Sequence, residues 1–285
     1  MRELSPESGQ IWRAINTPGL RSPSPWIFRG QRDATWTLKP SAFRPSAFEK
    51  LYRKRGHSDE RVRLGYEHDA VMQFAAVVES QGFEIPFDSP ELRDTRTWAP
   101  ERTIADFPHV RYHALYALAQ HHGIPTRLLD WSTSPMVASY FACFETARAL
   151  HLGESPPERL SVWALDDFRS EEHLRDAKYS YLRRVSAPSK SNPNLRLQKG
   201  IFTLVQHTAE PRVAEDLPIP DLDELLGDAD VEPPVLYKFT LPSATAPELL
   251  RLLDLRGVSA SSVFHGHQSA TAYLEERTWQ RPRSH

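Results

Sequence analysis

The chain has 285 residues, 40% of them apolar and 25% charged, with a formal net charge of -2. This composition is ordinary for a globular protein and gives no whole-molecule bias toward nucleic acid or anionic membranes, although a local basic patch stays open. No apolar stretch approaches the roughly 18 residues of a membrane span, and Met1–Glu7 has no apolar core, so we expect a cytoplasmic protein with no membrane partner.

In the first half of the chain, short apolar runs alternate with segments of helical spacing. Strands are predicted at Trp26–Phe28, Trp36–Leu38 and 126–130, and helices at 66–80 and 109–122. Gly123 and Pro125 end the second helix, because glycine favours the C-terminal cap and proline cannot continue a helix. His121 therefore lies at the end of that helix, on its apolar face.

The next helix is predicted to begin at Pro135, with Ser134 as its N-cap. Its buried face is expected to carry Met136, Val137, Tyr140, Phe141 and Phe144. Cys143, the only cysteine, lies in this apolar run. It is therefore expected to be a buried structural thiol rather than a nucleophile.

The second half of the chain continues to mix strands and helices. Strands are predicted at Leu160–Leu165, Ile201–Val205 and Val235–Leu241, a helix at Pro247–Leu253 and a polar loop at 186–200. The elements lack the regular alternation of a doubly wound fold, which favours an α+β protein. We expect a single mixed α/β domain over 1–285, with a core at about 20–275, a central, partly antiparallel sheet and loop insertions at about 84–108 and 206–233.

Polar side chains concentrate in residues 120–135, within an otherwise apolar setting. Here His121, Arg127 and Asp130 interrupt the predicted helix, strand and helix. Burying a charge without a partner costs several kcal/mol, so each should be paired or should face a cleft. One hypothesis is a functional site, because functional polar residues favour loops held by a scaffold. The alternative is structural: Arg127 and Asp130 tie loops together, and His121 is a hydrogen-bonded core imidazole.

Two further segments are candidates for binding an anion. Arg29, at the end of the first strand, suits a phosphate or carboxylate, and Gly30 would let a ligand approach the backbone. Ser132–Ser134 precedes a helix N-terminus, whose free amides and partial positive charge favour phosphate. The alternatives are an arginine that bridges sheet and loop, and serines that cap the helix.

Gln198 stands just before the strand predicted at Ile201, with a solvated loop as the alternative interpretation. His265 and His267 lie in carboxylate-poor sequence without paired ligand spacing. We therefore expect no metal site.

Three blocks of the sequence resemble the FRG domain family. They are Phe28–Gln31 with Trp36, Leu38–Ser41 and Arg44; Gln120–Ser132 continuing through Ser134, Pro135 and Ala138–Ala142; and Asn194–Phe202. The blocks extend over nearly the whole chain, about residues 20–275. Near the end, Phe264–His267 departs from the proline–acidic stretch that is common in the family. The bacterial and phage-related contexts of this family imply a role in phage defence or as a toxin.

A second resemblance is to mono-ADP-ribosyltransferases, which place comparable residues in the order Arg29, Ser132–Ser134 and Gln198. Tyr140–Ala142 is also similar to the Tyr-Phe-Ala of poly-ADP-ribose polymerases. The resemblance implies an enzyme that binds NAD, stabilises an oxocarbenium-like ribose and lets an acceptor attack. Because Gln198 stands where such enzymes carry glutamate, Glu145 or Asp130 would have to supply the carboxylate.

The resemblance implies a role for each candidate residue. The nucleotide-binding candidates are Arg29, Gln31, Arg127, Ser132 and Ser134, and the catalytic candidates are His121, Asp130 and Gln198. The expected partner is NAD or a similar nucleotide, with a protein or nucleic acid as acceptor. Two alternatives stay open: a nuclease in which His121 and Asp130 act as base and orienter, and a non-catalytic module that senses a nucleotide or a phage protein.

Overall fold

The computed structural model describes residues 2–4, 26–52, 60–93, 106–175, 180–187, 193–207, 220–227 and 233–280. The strands in these ranges are β1 (Arg2–Leu4), β2 (Trp26–Gln31), β3 (Leu128–Ser132), β4 (Arg159–Asp166), β5 (Ser180–Val185), β6 (Gly200–His207) and β7 (Leu236–Pro242). The helices are α1 (Glu49–Tyr52), α2 (Glu60–Ser80), α3 (Pro90–Arg93), α4 (His113–His121), α5 (Pro135–Leu152), α6 (Asp167–Arg175), α7 (Pro193–Leu197), α8 (Leu222–Gly227), α9 (Ala246–Asp254), α10 (Ala260–Val263) and α11 (Gln268–Trp279).

One sheet holds these strands in the order β1-β7-β4-β2-β3-β6-β5. Neighbouring strands from β7 to β5 are antiparallel, and β1 joins β7 in parallel. This sheet and its intermixed helices confirm the predicted α+β class. The central strand β2 pairs with β4 along its whole length but with β3 at Phe28 and Ser132 alone. The two strands therefore separate beyond that pair, which leaves room beside Arg29.

The apolar core on one face of the sheet divides at the boundary between β2 and β3. Residues of α5, α9, α10 and α11 pack over β7, β4 and β2, whereas residues of α2 and α4 pack over β3, β6 and β5. Alternate residues of the strands, among them Trp131 and Trp163, point to the opposite face and form a third cluster. Cys143 is fully buried in the first cluster, which confirms the predicted buried thiol.

The close packing of α5 on β2 depends on Gly30. A Cβ atom at this position would lie 1.9 Å from the carbonyl oxygen of Ala138 and 2.7 Å from the amide nitrogen of Ala142. Because both are backbone atoms of a helix, they cannot move aside as a flexible side chain would. The space that a side chain at this position would take is filled by α5, so the packing of this helix requires glycine here, while Gly30 also lines the cleft described below.

Four predicted helices are confirmed as α2, α4, α5 and α9. As expected, α4 ends at His121, and Gly123 then adopts a φ of 89°, in the left-handed region that glycine tolerates. Helix α5 begins at Pro135 with Ser134 at the N-cap position, although the Ser134 side chain makes no capping hydrogen bond. Local sequence rules therefore located these helix ends.

Three other predictions need correction. The strand expected at 126–130 lies two residues later, as β3, and the polar loop expected at 186–200 contains α7. Trp36–Leu38 is not a strand, because its backbone is held by side chains. The Thr37 carbonyl accepts from Gln31 Nε2 at 3.0 Å, and the Leu38 amide donates to Asp223 Oδ1 at 2.7 Å.

The predicted insertions at 84–108 and 206–233 contain the short helices α3 and α8 respectively. Residues 94–105, 208–219 and 228–232 lie outside the described part of the chain. Among the helices that the structure describes, none combines the length and the hydropathy needed to cross a bilayer.

Candidate functional site

A cleft of about 450 Å³ opens where β2 and β3 separate. A volume of this size is within the range of small-molecule sites. Its walls come from β2 and the loop that follows, from β3, from one side of α5 and from the turn after α7. The lining residues that carry polar or aromatic groups are Phe28, Arg29, Gln31, Arg32, Trp36, Arg44, Asp130, Trp131, Ser132, Phe141, Glu145 and Gln198.

Arg29 lies at the floor of this cleft, with 16% of its side chain exposed. Its Nη1 donates to the Asp130 carbonyl oxygen at 2.7 Å and lies 3.5 Å from Asp130 Oδ2. Burial lowers the pKa of Arg29, while the charge of Asp130 acts in the opposite direction. Within the described part of the chain, Arg29 Nε has no hydrogen-bond acceptor. Because arginine stays protonated in proteins, the guanidinium remains a cation, and the part of it that is exposed can donate to an anion in the cleft, whereas Nε is buried.

Asp130 is held from both sides by side chains of neighbouring elements. Gln120, at the C-terminal end of α4, donates to Asp130 Oδ1 at 2.6 Å, and the Thr126 hydroxyl donates to Gln120 Oε1. Together with Arg29, these contacts fix the orientation of a carboxylate that remains 58% exposed. Asp130 is therefore a positioned, solvent-accessible anion beside a partly desolvated cation.

Three side chains from the loop after β2 form one rim of the cleft, which we call the arginine–tryptophan rim: Arg32, Trp36 and Arg44. The Arg32 guanidinium carbon lies 5.3 Å from the centroid of the Trp36 ring. Trp36 is 40% exposed, so part of its indole is accessible from the cleft.

Another part of the wall is formed by Phe141 and Glu145 of α5. They are four residues apart, so they lie on the same side of the helix. The prediction that Phe141 belongs to the buried face is wrong, because 36% of this residue is exposed. Glu145 is also exposed and lies 3.5 Å from Arg148, a surface pair that restrains it little. This wall thus offers an aromatic ring and a carboxylate to one ligand.

The predicted residues Gln31, Ser132 and Gln198 also line the cleft, but protein contacts occupy their polar groups. Gln31 accepts from Trp163 Nε1 at 2.7 Å and donates to the backbone of the next loop. The Ser132 hydroxyl donates to the Gln198 carbonyl at 2.7 Å and accepts from the Ser134 amide at 3.0 Å. Gln198 Nε2 reaches the Val263 carbonyl at 3.4 Å. These residues shape the cleft wall.

Arg127 and Ser134 do not line the cleft. Arg127 is buried in an ion pair with Glu67, with side-chain exposures of 2% and 1%. It also lies over the ring of Phe107, at 4.5 Å from the centroid. These contacts favour the structural alternative for Arg127, and a nucleotide contact by this residue stays a prediction. Ser134 is buried at the start of α5.

His121 lies near Asp130 but outside the cleft lining. Its Nε2 is 3.3 Å from the side-chain amide of Asn194, whose oxygen accepts from the His265 amide at 2.7 Å. Burial lowers the pKa of His121, His122 adds to this shift, and Asp130 opposes it. His121 therefore joins α4 to the start of α7 behind the cleft.

Sequence reasoning placed Arg29, Gln31, Asp130, Ser132 and Gln198 at one site, and the structure brings these five together. It gave no binding role to the arginine–tryptophan rim or to Phe141, and it named Glu145 only as a substitute for the missing glutamate. The spacing of Phe141 and Glu145 on a predicted helix was the one available sign of a shared wall. A tryptophan in a short apolar run gave no sign that it would be exposed.

Residues 24–150 match the family model of the FRG domain. This match confirms, over residues 24–150, the FRG-domain resemblance that the first two sequence blocks predicted. The matched range includes every cleft residue except Gln198, and the third block, Asn194–Phe202, lies beyond it. No curated protein and no solved structure matches the chain.

Proposed function

We propose that the cleft binds NAD and supports ADP-ribosyl transfer to an acceptor. The observation that carries this proposal is the placement of Phe141 and Glu145 on one helical face, in the same cleft as Arg29. An aromatic surface, a carboxylate and a partly desolvated guanidinium match the three parts of NAD that a transferase must hold: a ring, a ribose and a diphosphate.

Binding would be divided between the floor and the α5 wall. Arg29 is suited to the diphosphate, because a guanidinium binds phosphate oxygens through two parallel hydrogen bonds. Phe141 is suited to stack on the nicotinamide or adenine ring. Gln120 and Asp130 would act as positioning residues, because they hold the Arg29 side chain at the floor. The arginine–tryptophan rim is not needed for these contacts.

The reaction would break the bond between C1′ of the ribose and the nicotinamide nitrogen. Nicotinamide leaves as a neutral molecule with the bonding electron pair, and positive charge develops on the ribose. The Glu145 carboxylate would stabilise this charge and accept the proton that an acceptor hydroxyl loses as its oxygen bonds to C1′. In this reading Glu145 supplies the carboxylate that Gln198 cannot.

The same chemistry suggests how the protein would serve in phage defence or as a toxin. Repeated transfer consumes NAD and modifies the acceptor, and either effect harms the cell in which it occurs. A non-catalytic nucleotide sensor with this cleft would bind NAD but leave it intact. A nuclease would instead cleave DNA or RNA without NAD.

The test is to incubate the purified protein with radiolabelled NAD and cell lysate, and to measure nicotinamide release and labelled acceptor. The wild type should release nicotinamide, and E145Q should reduce the rate by about 100-fold or more, the usual contribution of a general acid or base. E154Q is the matched control, because Glu154 is exposed just beyond the end of α5 and does not line the cleft.

Three results would count against the proposal. If the wild type neither binds NAD nor releases nicotinamide, NAD chemistry is refuted. If NAD binds and stays intact with every acceptor fraction, the protein is a sensor. If E145Q is as active as E154Q, the role of Glu145 is wrong, and Asp130 becomes the carboxylate to test.

A further inference from the structure

The arginine–tryptophan rim has the composition of a binding surface, and the proposed NAD contacts leave it unused. Trp36 is 40% exposed, and the Arg32 guanidinium stacks at 5.3 Å from its ring centroid. Arg32 and Arg44 are both exposed. Neither forms an ion pair with a carboxylate in the part of the chain that the structure describes.

The turn at the other end of the cleft also carries cations. Gln198, which lines the cleft, is flanked by Lys199 and lies two residues from Arg196. Both cationic residues are exposed, and neither has an ion-pair partner among the described residues. The chain as a whole has a net charge of -2. The concentration of unpaired cations around one cleft is therefore a local feature and does not follow from composition.

We infer that the arginine–tryptophan rim binds single-stranded nucleic acid. A base would stack on the Trp36 indole, and the adjacent phosphates would contact Arg32 and Arg44. An aromatic platform combined with cations is how proteins bind single strands without reading sequence. A base in a duplex is already stacked on its neighbours, so its face is not available to Trp36. An acidic peptide would satisfy the arginines but would leave the exposed indole without a partner.

The binding can be measured in the absence of NAD. Fluorescence anisotropy would follow labelled DNA and RNA single strands of about 12 nucleotides, a length within known single-strand site sizes, and the corresponding duplex. Two phosphate contacts predict that log affinity falls with log salt concentration at a slope of about -1.4. R32A and R44A should each reduce the magnitude of this slope by about half, because each removes one of the two phosphate contacts.

W36A should weaken single-strand binding by about tenfold or more. F168A is the aromatic control, because Phe168 is 63% exposed on α6 and does not line the cleft. R251A is the charge control on α9, where Arg251 contacts Glu248. Circular dichroism would verify that each variant is folded, and both controls should bind the single strand as the wild type does.

The inference is overturned if the wild type does not bind single strands, or if W36A and F168A bind equally well. It is also overturned if the duplex binds more tightly than the single strand. If a glutamate-rich peptide displaces the oligonucleotide and W36A has no effect on either ligand, the rim recognises an acidic peptide instead. None of these outcomes depends on NAD turnover, so the proposed function is tested separately.

Discussion

The buried Arg127–Glu67 pair allows a quantitative prediction that separates folding from ligand binding. Arg127 Nη2 and Nε both lie 2.9 Å from Glu67 Oε2, and the Arg127 amide donates to Glu67 Oε1 at 2.8 Å. The guanidinium carbon also lies 4.5 Å from the ring centroid of Phe107 and 5.4 Å from that of Phe43. The pair therefore joins α2 to the start of β3 in a dry, aromatic setting.

R127M should lower the free energy of unfolding by about 3–5 kcal/mol, because it removes a cation that pairs with a buried carboxylate. This is a large share of the roughly 5–15 kcal/mol by which a domain is stable. The double variant E67Q/R127M should recover part of this lost stability. The neutral side chain introduced at position 67 needs no cation, and its oxygen can still accept from the backbone N–H of residue 127. The stability changes caused by E67Q and R127M alone should therefore not add up to that of the double variant, because the two side chains are in contact.

Urea denaturation followed by fluorescence would measure these values, with R127K as a milder variant if R127M does not fold. The reasoning is refuted if R127M loses less than about 1 kcal/mol, well below the range for a broken buried pair, or if the double variant is less stable than the single one. R127K that is folded at low temperature should bind NAD as the wild type does. Loss of NAD binding by such a folded variant would return Arg127 to the site.

Two further predictions concern stability. G30A should prevent native packing, because its Cβ would lie 1.9 Å from the Ala138 oxygen. In contrast, the Cβ of G65A would have no atom within 4 Å, and this variant should stabilise α2 by about 0.5–1 kcal/mol. Thermal unfolding of both proteins would check this, and equal melting temperatures would contradict it. Burial lowers the pKa of His68 to about 4. As the pH falls from about 6.5 to 4, the unfolded chain takes up a proton on this histidine but the native state does not, so the free energy of unfolding should fall by about 3 kcal/mol. H68Q should remove that part of the pH dependence between pH 7 and 4, and an unchanged profile would show that His68 does not titrate in this way.

Local rules were sufficient wherever the determining residues are close in sequence. The end of α4 at Gly123 and the start of α5 at Pro135 follow from caps and from the backbone constraints of glycine and proline. The α+β class follows from the mixture of apolar runs and helical spacing. These features need no knowledge of distant contacts.

Features that depend on distant partners were not predictable in this way. Thr37 and Leu38 resemble a strand in sequence, but Asp223, 185 residues away, takes the Leu38 amide. Arg127 seemed available for a ligand because its partner Glu67 lies 60 residues earlier on α2. Hydrophobic spacing alone also does not reveal that Phe141 lines a cleft, because the other lining residues are distant in sequence.

The most direct test of the account is calorimetric titration of NAD into E145Q, a variant that should bind NAD without consuming it. We expect E145Q to bind NAD saturably. Introducing F141A into E145Q should weaken the affinity for NAD by about fivefold, which corresponds to the loss of an aromatic stack of roughly 1 kcal/mol. F168A in the same background should have no effect, because Phe168 does not line the cleft. No binding of NAD by E145Q or by the wild type, or equal binding with and without Phe141, would contradict the claim that this cleft is an NAD site.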